Sequence, residues 1–112
     1  MKEIKAYVSR HRIADVIDAL RESGVCDIGT RADCHHLTVS AVQRPFAGAD
    51  PAEQHYSMDL GGPVVTEYRL ELVCADADVD TLVAAIAAAA RTGAHSPGWI
   101  VVSEVARTLD IE

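Results

Sequence analysis

Apolar and polar residues alternate from the first positions of the chain. Over Lys2–Val8, Ile4, Ala6 and Val8 are set among Lys2, Glu3 and Lys5, and a period of two predicts a short strand. The period then changes. Over Arg12–Ser23, Ile13, Val16, Ile17 and Leu20 fall at i, i+3, i+4 and i+7, the stripe of an amphipathic helix, and Gly24 suits the position just past its end. Cys26–Asp33 is a connector of small and polar residues, and Leu37–Val42 predicts a second strand. Gln43–Pro63 has no period and holds three glycines and three prolines, the composition of a long functional loop. Val64–Cys74 returns to alternation, with Tyr68, Leu70, Leu72 and Cys74 against Arg69, Glu71 and Val73. Asp76 stands where it can cap a second helix whose apolar stripe is Val79, Leu82, Val83, Ile86 and Ala90. Thr92-Gly93 stops that helix, and His95-Ser96-Pro97-Gly98 cannot continue it, because proline lacks the N–H and clashes with the preceding turn. Trp99–Glu104 predicts a fourth strand and Val105–Glu112 a short tail.

Strand, helix, strand, long loop, strand, helix, strand is the order of two β-α-β halves. It predicts an α+β, ferredoxin-like βαββαβ fold, an antiparallel sheet with both helices on one face, with residues 1–112 forming one domain. Ile4, Val39, Leu70, Leu72 and Val101 supply more apolar surface than two short helices cover, which predicts an oligomer with its sheets facing inward.

Composition narrows the partners. A formal net charge of −7 disfavours nucleic acid and anionic membranes. No apolar run reaches the roughly 18–20 residues of a membrane span, and MKEIKAYV has no apolar core of a secretion signal. Three cysteines (Cys26, Cys34 and Cys74) without a C-x-x-C suit a reducing cytoplasm better than a disulfide framework, and Cys74 reads as a buried small residue. No serine sits in a nucleophile elbow and no catalytic constellation stands out, so an enzyme is not expected.

Ala90-Arg91-Thr92-Gly93, followed by Gly98, Ile100 and Val105-Ala106-Arg107, resembles the C-terminal signature of the PII signal-transduction proteins. The resemblance extends to Met1–Ala6, Ile13–Leu20, Leu37–Ser40 and Asp80-Thr81, and so to nearly the whole chain. It implies a non-catalytic homotrimer that binds ATP or ADP between subunits, often with 2-oxoglutarate, and docks a T-loop onto a membrane transporter or an enzyme. On this resemblance residues 43–63 are the T-loop, with Arg44, Phe46, His55, Tyr56 and Met58 as partner contacts. Residues 92–99 match the B-loop, and Thr92, Gly93, His95, Gly98, Trp99 and Arg107 form an inter-subunit ligand pocket. Tyr56 lies where many PII proteins carry a uridylylated tyrosine, but Gln54-His55 and Ser57-Met58 do not match the modified segment.

The chain departs from the family at its charges. Where PII reads T-G-x-x-G-D-G-K, Ser96-Pro97-Gly98-Trp99 replaces G-D-G-K, and Trp99 takes the place of the phosphate-binding lysine. Two phosphate-binding arginines fall on Asp110 and Glu112, and the lysine that serves 2-oxoglutarate falls near Glu67. A charge-assisted phosphate contact contributes about 1.5–3 kcal/mol, so these changes argue against ATP in the usual manner. An adenine nucleotide with few phosphates stays open, because Thr92 can still bond an adenine or ribose edge. The H-x-L-T-V before the loop and the Gly98-Trp99-Ile100 run resemble the PII-like group encoded beside heavy-metal efflux pumps of the resistance-nodulation-division type. That directs attention to a divalent transition metal. Cys34 and His36, two apart in an extended strand, share a face and have soft donors; His55, His95, His11 or a neighbouring subunit would have to supply a third. The other reading of the cluster is a pair of solvated histidines beside an incidental thiol. A CutA-like metal-binding trimer involved in heavy-metal homeostasis is the alternative on the same fold.

Overall fold

A computed structural model describes residues 1–26, 35–46, 51–93 and 98–111, apart from the side chains of His35 and His36. Its elements are β1 (Lys2–Ser9), α1 (Ile13–Glu22), β2 (His35–Pro45), β3 (Gln54–Ser57), β4 (Gly62–Cys74), α2 (Val79–Ala90) and β5 (Trp99–Glu104). The strands form one antiparallel sheet in the order β2-β4-β1-β5, with β3 paired to β4. The fold is α+β and ferredoxin-like, as the order of elements predicts, with β3 as an addition.

Register explains the core. Ile4 pairs with Leu72, Ala6 with Leu70 and Val8 with Tyr68, so the alternate residues of β1 and β4 share one face. Val16 and Leu20 of α1 and Leu82 and Ile86 of α2 close over that face, and all are buried. Each such side chain contributes roughly 1.5–3 kcal/mol by leaving water. Gly24, at φ +78°, ends α1 in the left-handed conformation, and Ser23 N–H donates to Ala19 O at 3.0 Å.

The second face mixes apolar and charged residues. Ile4, Leu70 and Leu72 lie beneath the helices at 0–1% exposure, leaving Val39 and Val101 half-exposed. The uncovered face carries Val42, Val65, Val73 and Val101 with Tyr7 and Trp99, beside Glu3, Lys5, Arg44, Glu67, Arg69 and Glu71, because the registers pair these residues with one another.

Gln43–Pro63 is also more ordered than its composition suggests. β2 runs on to Pro45, β4 begins at Gly62, and β3 pairs with the start of β4 from Gln54↔Val65 to Ser57↔Gly62. Cross-strand pairing supplies the order that local propensity does not. Gly61 closes the turn at φ +71°, its N–H donating to Ser57 O at 2.9 Å.

Asp76 does not cap α2. A short 3-10 turn (Asp76–Asp78) precedes that helix, and Asp78 occupies its cap position without a side-chain bond. The Asp76 carboxylate instead accepts the Met1 ammonium at 2.6 Å. Lys2 contacts Glu104 beside it, tying β1 to the end of β5. Cys74 is free and buried as expected, whereas Cys26 is in a disulfide, which an odd cysteine count did not suggest.

Candidate ligand pocket between helix α2 and strand β5

α2 stops at Ala90, Arg91 takes an extended conformation, and Gly93 turns the chain at φ +80°. The chain re-enters the sheet at Gly98 against β1. A Cβ added there would stand 2.1 Å from the Tyr7 carbonyl oxygen, so only glycine permits this approach. Between the end of α2 and this contact lies a cavity of about 300 Å³, lined by Val8, Ile86, Ala90, Arg91, Trp99 and Ile100 among others. Its walls are apolar, and Arg91 is the charged residue among those that line it.

Trp99 pairs with Tyr7 in the sheet, which places both rings on the uncovered face. They stack at 4.4 Å between centroids with planes 16° apart. The Arg44 guanidinium lies 5.2 Å from the Trp99 ring centroid, a cation over an aromatic face. Arg44 Nε is 2.7 Å from Glu67 Oε1. Glu67 is 3% exposed. Burial raises its pKa above the ordinary carboxylate value; the charge and contact of Arg44 pull the other way without reversing it. Four residues from four strands, β1, β2, β4 and β5, thus meet on one face.

Other site candidates are dispersed. Thr92, Gly93, Gly98 and Trp99 lie at the Tyr7 end of β1. Arg107 follows the opposite end of β5, in a tail held by Val105 N–H donating to Met1 O at 3.1 Å. Asp110 belongs to the same tail. His95, Glu112 and Cys34 fall outside the described residues, as does the side chain of His36. His55 is exposed on β3, and His11 lies 3.2 Å from a Glu53 carboxylate oxygen. No group of three or more metal-binding side chains occurs among the described residues.

Of the loop residues, Arg44 belongs to β2, and its side chain is engaged rather than presented. Phe46, Tyr56 and Met58 are exposed around the hairpin, Phe46 with a left-handed φ of 61° that is uncommon for a bulky residue. A second cavity, of about 350 Å³, lies at the hairpin base between Phe46, Gln54, Leu60 and Pro63. Sequence reasoning missed Tyr7, and it quoted Arg91 in the signature without counting it among the pocket residues. For Tyr7 a signal was present, since it alternates with the core residues Ala6 and Val8 and so had to face away from the helices.

Fold and site together define a class: a ferredoxin-like α+β protein with a ligand-sized cavity at a helix-to-strand junction and a long hairpin at the other edge of its sheet. No family model matches the chain. Two curated relatives from Methanothermobacter thermautotrophicus do. Nitrogen regulatory protein P-II 2 is 30% identical and nitrogen regulatory protein P-II 1 is 31% identical, each over 105 residues, covering 94% of this chain and 84% of the relative. The chain belongs to the P-II family of regulatory proteins. No helix among the described residues is long and apolar enough to cross a membrane.

Proposed function

We propose that this protein is a cytoplasmic, non-catalytic P-II regulator that assembles as a homotrimer. It senses a small ligand at the junction of α2 and β5 and passes the signal to a transporter or enzyme through the hairpin around β3. The carrying observation is the division of the site. Gly98 precedes β5, Trp99 starts it and Arg107 follows its far end, and the strand between them spans about 16 Å at ~3.3 Å per residue. Residues that the family groups in one pocket are therefore separated within one chain, and a neighbouring copy brings them together. β5 supports this reading. It ends the described sheet with Trp99-Ile100-Val101-Val102, three of them more than 40% exposed, and an apolar edge strand is a template for contact with another chain.

Apolar walls with one cation among their lining residues suit a ligand with little charge. Trp99 and Asp110 in place of cations disfavour a triphosphate, so AMP is expected to bind better than ATP. Light scattering should give three chains of 12.0 kDa, about 36 kDa. A stable monomer at micromolar concentration would refute the assembly. Calorimetry with AMP and ATP tests the ligand order, and tight ATP binding with weaker AMP binding would reverse it.

A further inference from the structure

We propose that His11, Arg10 and Glu53 form a proton-sensitive latch that holds the hairpin in line with β1. The latch lies within one chain, and it rests on the reading above only for its consequence, that the hairpin meets a partner.

Register defines where the latch sits. On one edge β4 pairs with β2 without a break from Thr38↔Glu71 to Pro45↔Val64. Its other edge is shared. β1 takes Glu67–Cys74 and β3 takes Gly62–Val65, so the two strands lie end to end along β4 with Thr66 between them. At that junction β1 ends in a turn, with Arg12 N–H donating to Ser9 O at 2.9 Å and His11 N–H donating to Ser9 Oγ at 3.3 Å. Two side chains of this turn reach the start of the hairpin. His11 Nε2 is 3.2 Å from Glu53 Oε1, and Arg10 Nη2 is 3.5 Å from Glu53 Oε2. Glu53 stands just before β3, 42 positions from His11 in sequence. Each of its carboxylate oxygens thus has its own nitrogen.

The strand that follows has a small apolar hold of its own. β3 is four residues long, pairs with β4 alone among the described strands, and has Ser57 as its one buried residue. Ser57 fixes the far end, its carbonyl accepting the Gly61 N–H at 2.9 Å and its hydroxyl accepting the Leu60 N–H at 3.2 Å. The near end carries the charges. A short strand with little buried apolar surface opens at low cost. An exposed ion pair is slight on the scale of the whole fold, yet it matters on the scale of this opening.

Histidine makes the hold depend on a proton. Protonated, the ring brings a positive charge and an N–H at Nε2 to the carboxylate. Neutral, it loses the charge and keeps that N–H in one of its two tautomers. A charge-assisted bond is about twice as strong as a neutral one. The charged groups around His11 leave Glu53 as its counter-ion. Arg10 contacts the same carboxylate and retains part of the hold at any pH. On α1, Arg12 Nη1 and Asp15 Oδ2 pair with each other at 3.2 Å; on β4, Glu67 stands opposite Ser9 and is paired with Arg44 of β2. The latch is tightest where His11 is protonated and Glu53 ionised, and it loosens as pH rises through the histidine range. Loosening releases β3, and with it the exposed Tyr56 and Met58, from their place at the end of β1.

Hydrogen exchange on the full chain, without ligand or partner, tests the latch. The readout is amide protection over Gln54–Ser57 relative to that over Lys2–Ser9 in the same sample, each corrected for its intrinsic exchange rate. It is followed from about pH 5.5 to about pH 8, where histidine changes charge. In the wild type the relative protection of β3 should fall about two- to fivefold across this range, the scale of one exposed ion pair. His11→Gln keeps a neutral N–H donor, so it should remove the pH step and hold β3 at the wild-type high-pH value. Arg10→Gln should lower protection at both ends and keep the step. Glu53→Gln should lower protection and abolish the step. His55→Gln, on β3 itself, should behave as the wild type. A step that survives in His11→Gln, a step that vanishes in His55→Gln, or β3 protection unmoved by Glu53→Gln overturns the proposal. Because no ligand or partner is present, that result leaves the ligand-sensing reading standing, and a failed nucleotide titration leaves the latch standing.

Discussion

The two faces of this sheet use the same strands and differ by one residue step. On one, Ile4, Ala6, Val8, Leu70 and Leu72 are closed over by α1 and α2. On the other, charges stand in neighbouring pairs: Lys5 Nζ 3.6 Å from Glu3 Oε1, Arg69 Nε 2.7 Å from Glu71 Oε1 and Arg44 Nε 2.7 Å from Glu67 Oε1. The first face is stabilised by what it excludes. The second has ion pairs that solvent screens, each contributing about 0–1 kcal/mol. Glu67 is the exception, because it is as buried as a core residue while belonging to the charged face. The difference teaches where stability and specificity reside: the covered face holds the fold, and the open face is free to carry recognition.

Substitution on the two sides of β4 should show the largest contrast. Leu72→Ala is expected to cost about 2–5 kcal/mol in urea denaturation, from lost burial and the cavity left behind. Its neighbour Glu71→Ala should cost no more than about 1 kcal/mol, since it breaks a partly exposed pair. Equal losses would mean that the open face is buried by something more than water.

Next in size is Gly98→Ala, where a methyl group would overlap the Tyr7 carbonyl oxygen. Moving β5 away from β1 should cost about 1–3 kcal/mol and disturb the Trp99–Tyr7 stack. A shift in Trp99 emission together with reduced stability is the expected pair of results. Unchanged stability would show that the two strands separate easily, and that the cavity beside them is not rigidly held.

The smallest effects come from two carboxylates that titrate in opposite senses. Asp76 has its pKa lowered from 3.8, first by the bond from the Met1 ammonium, against an opposing desolvation, with the charges of that ammonium and of Lys2 adding to the lowering. The unfolded chain therefore takes up this proton before the folded one. Its contribution is complete above the ordinary value and is lost as pH falls through the folded value. Glu67 has its pKa raised from 4.5, so the folded state binds the proton more readily. Its contribution is complete below 4.5 and is lost as pH rises through the folded value. Stability measured across pH should flatten on the acid side in Asp76→Asn. In Glu67→Gln the decline from pH 4.5 upward should diminish. If both variants follow the wild-type curve, neither environment perturbs its acid.

Much of the fold was legible. β1, α1, α2 and β5 lie within a residue or two of where periodicity put them, because an amphipathic stripe and an alternating strand are local properties. β3 was not legible, since Gln54-His55-Tyr56-Ser57 has no apolar alternation and becomes a strand only by pairing with β4. Asp76 was misplaced for a similar reason: a carboxylate ahead of a helix reads as a cap until an ammonium 75 residues away in sequence claims it. Of the pocket, the family signature marked Arg91, Gly98 and Trp99, whereas Tyr7 carries no motif.

By itself the sequence determined the alternation of β1 and β4, the two apolar helix stripes, the stop at Gly93 and the family to which the chain belongs. Those depend on residues a few positions apart or on order along the chain. Only the tertiary structure decided that Arg44, Glu67 and Trp99 meet, that the hairpin folds back on β4, and that Arg107 lies a strand's length from Gly98. These depend on the registers between strands, and a one-residue slip in any of them would turn the same side chains to the opposite face.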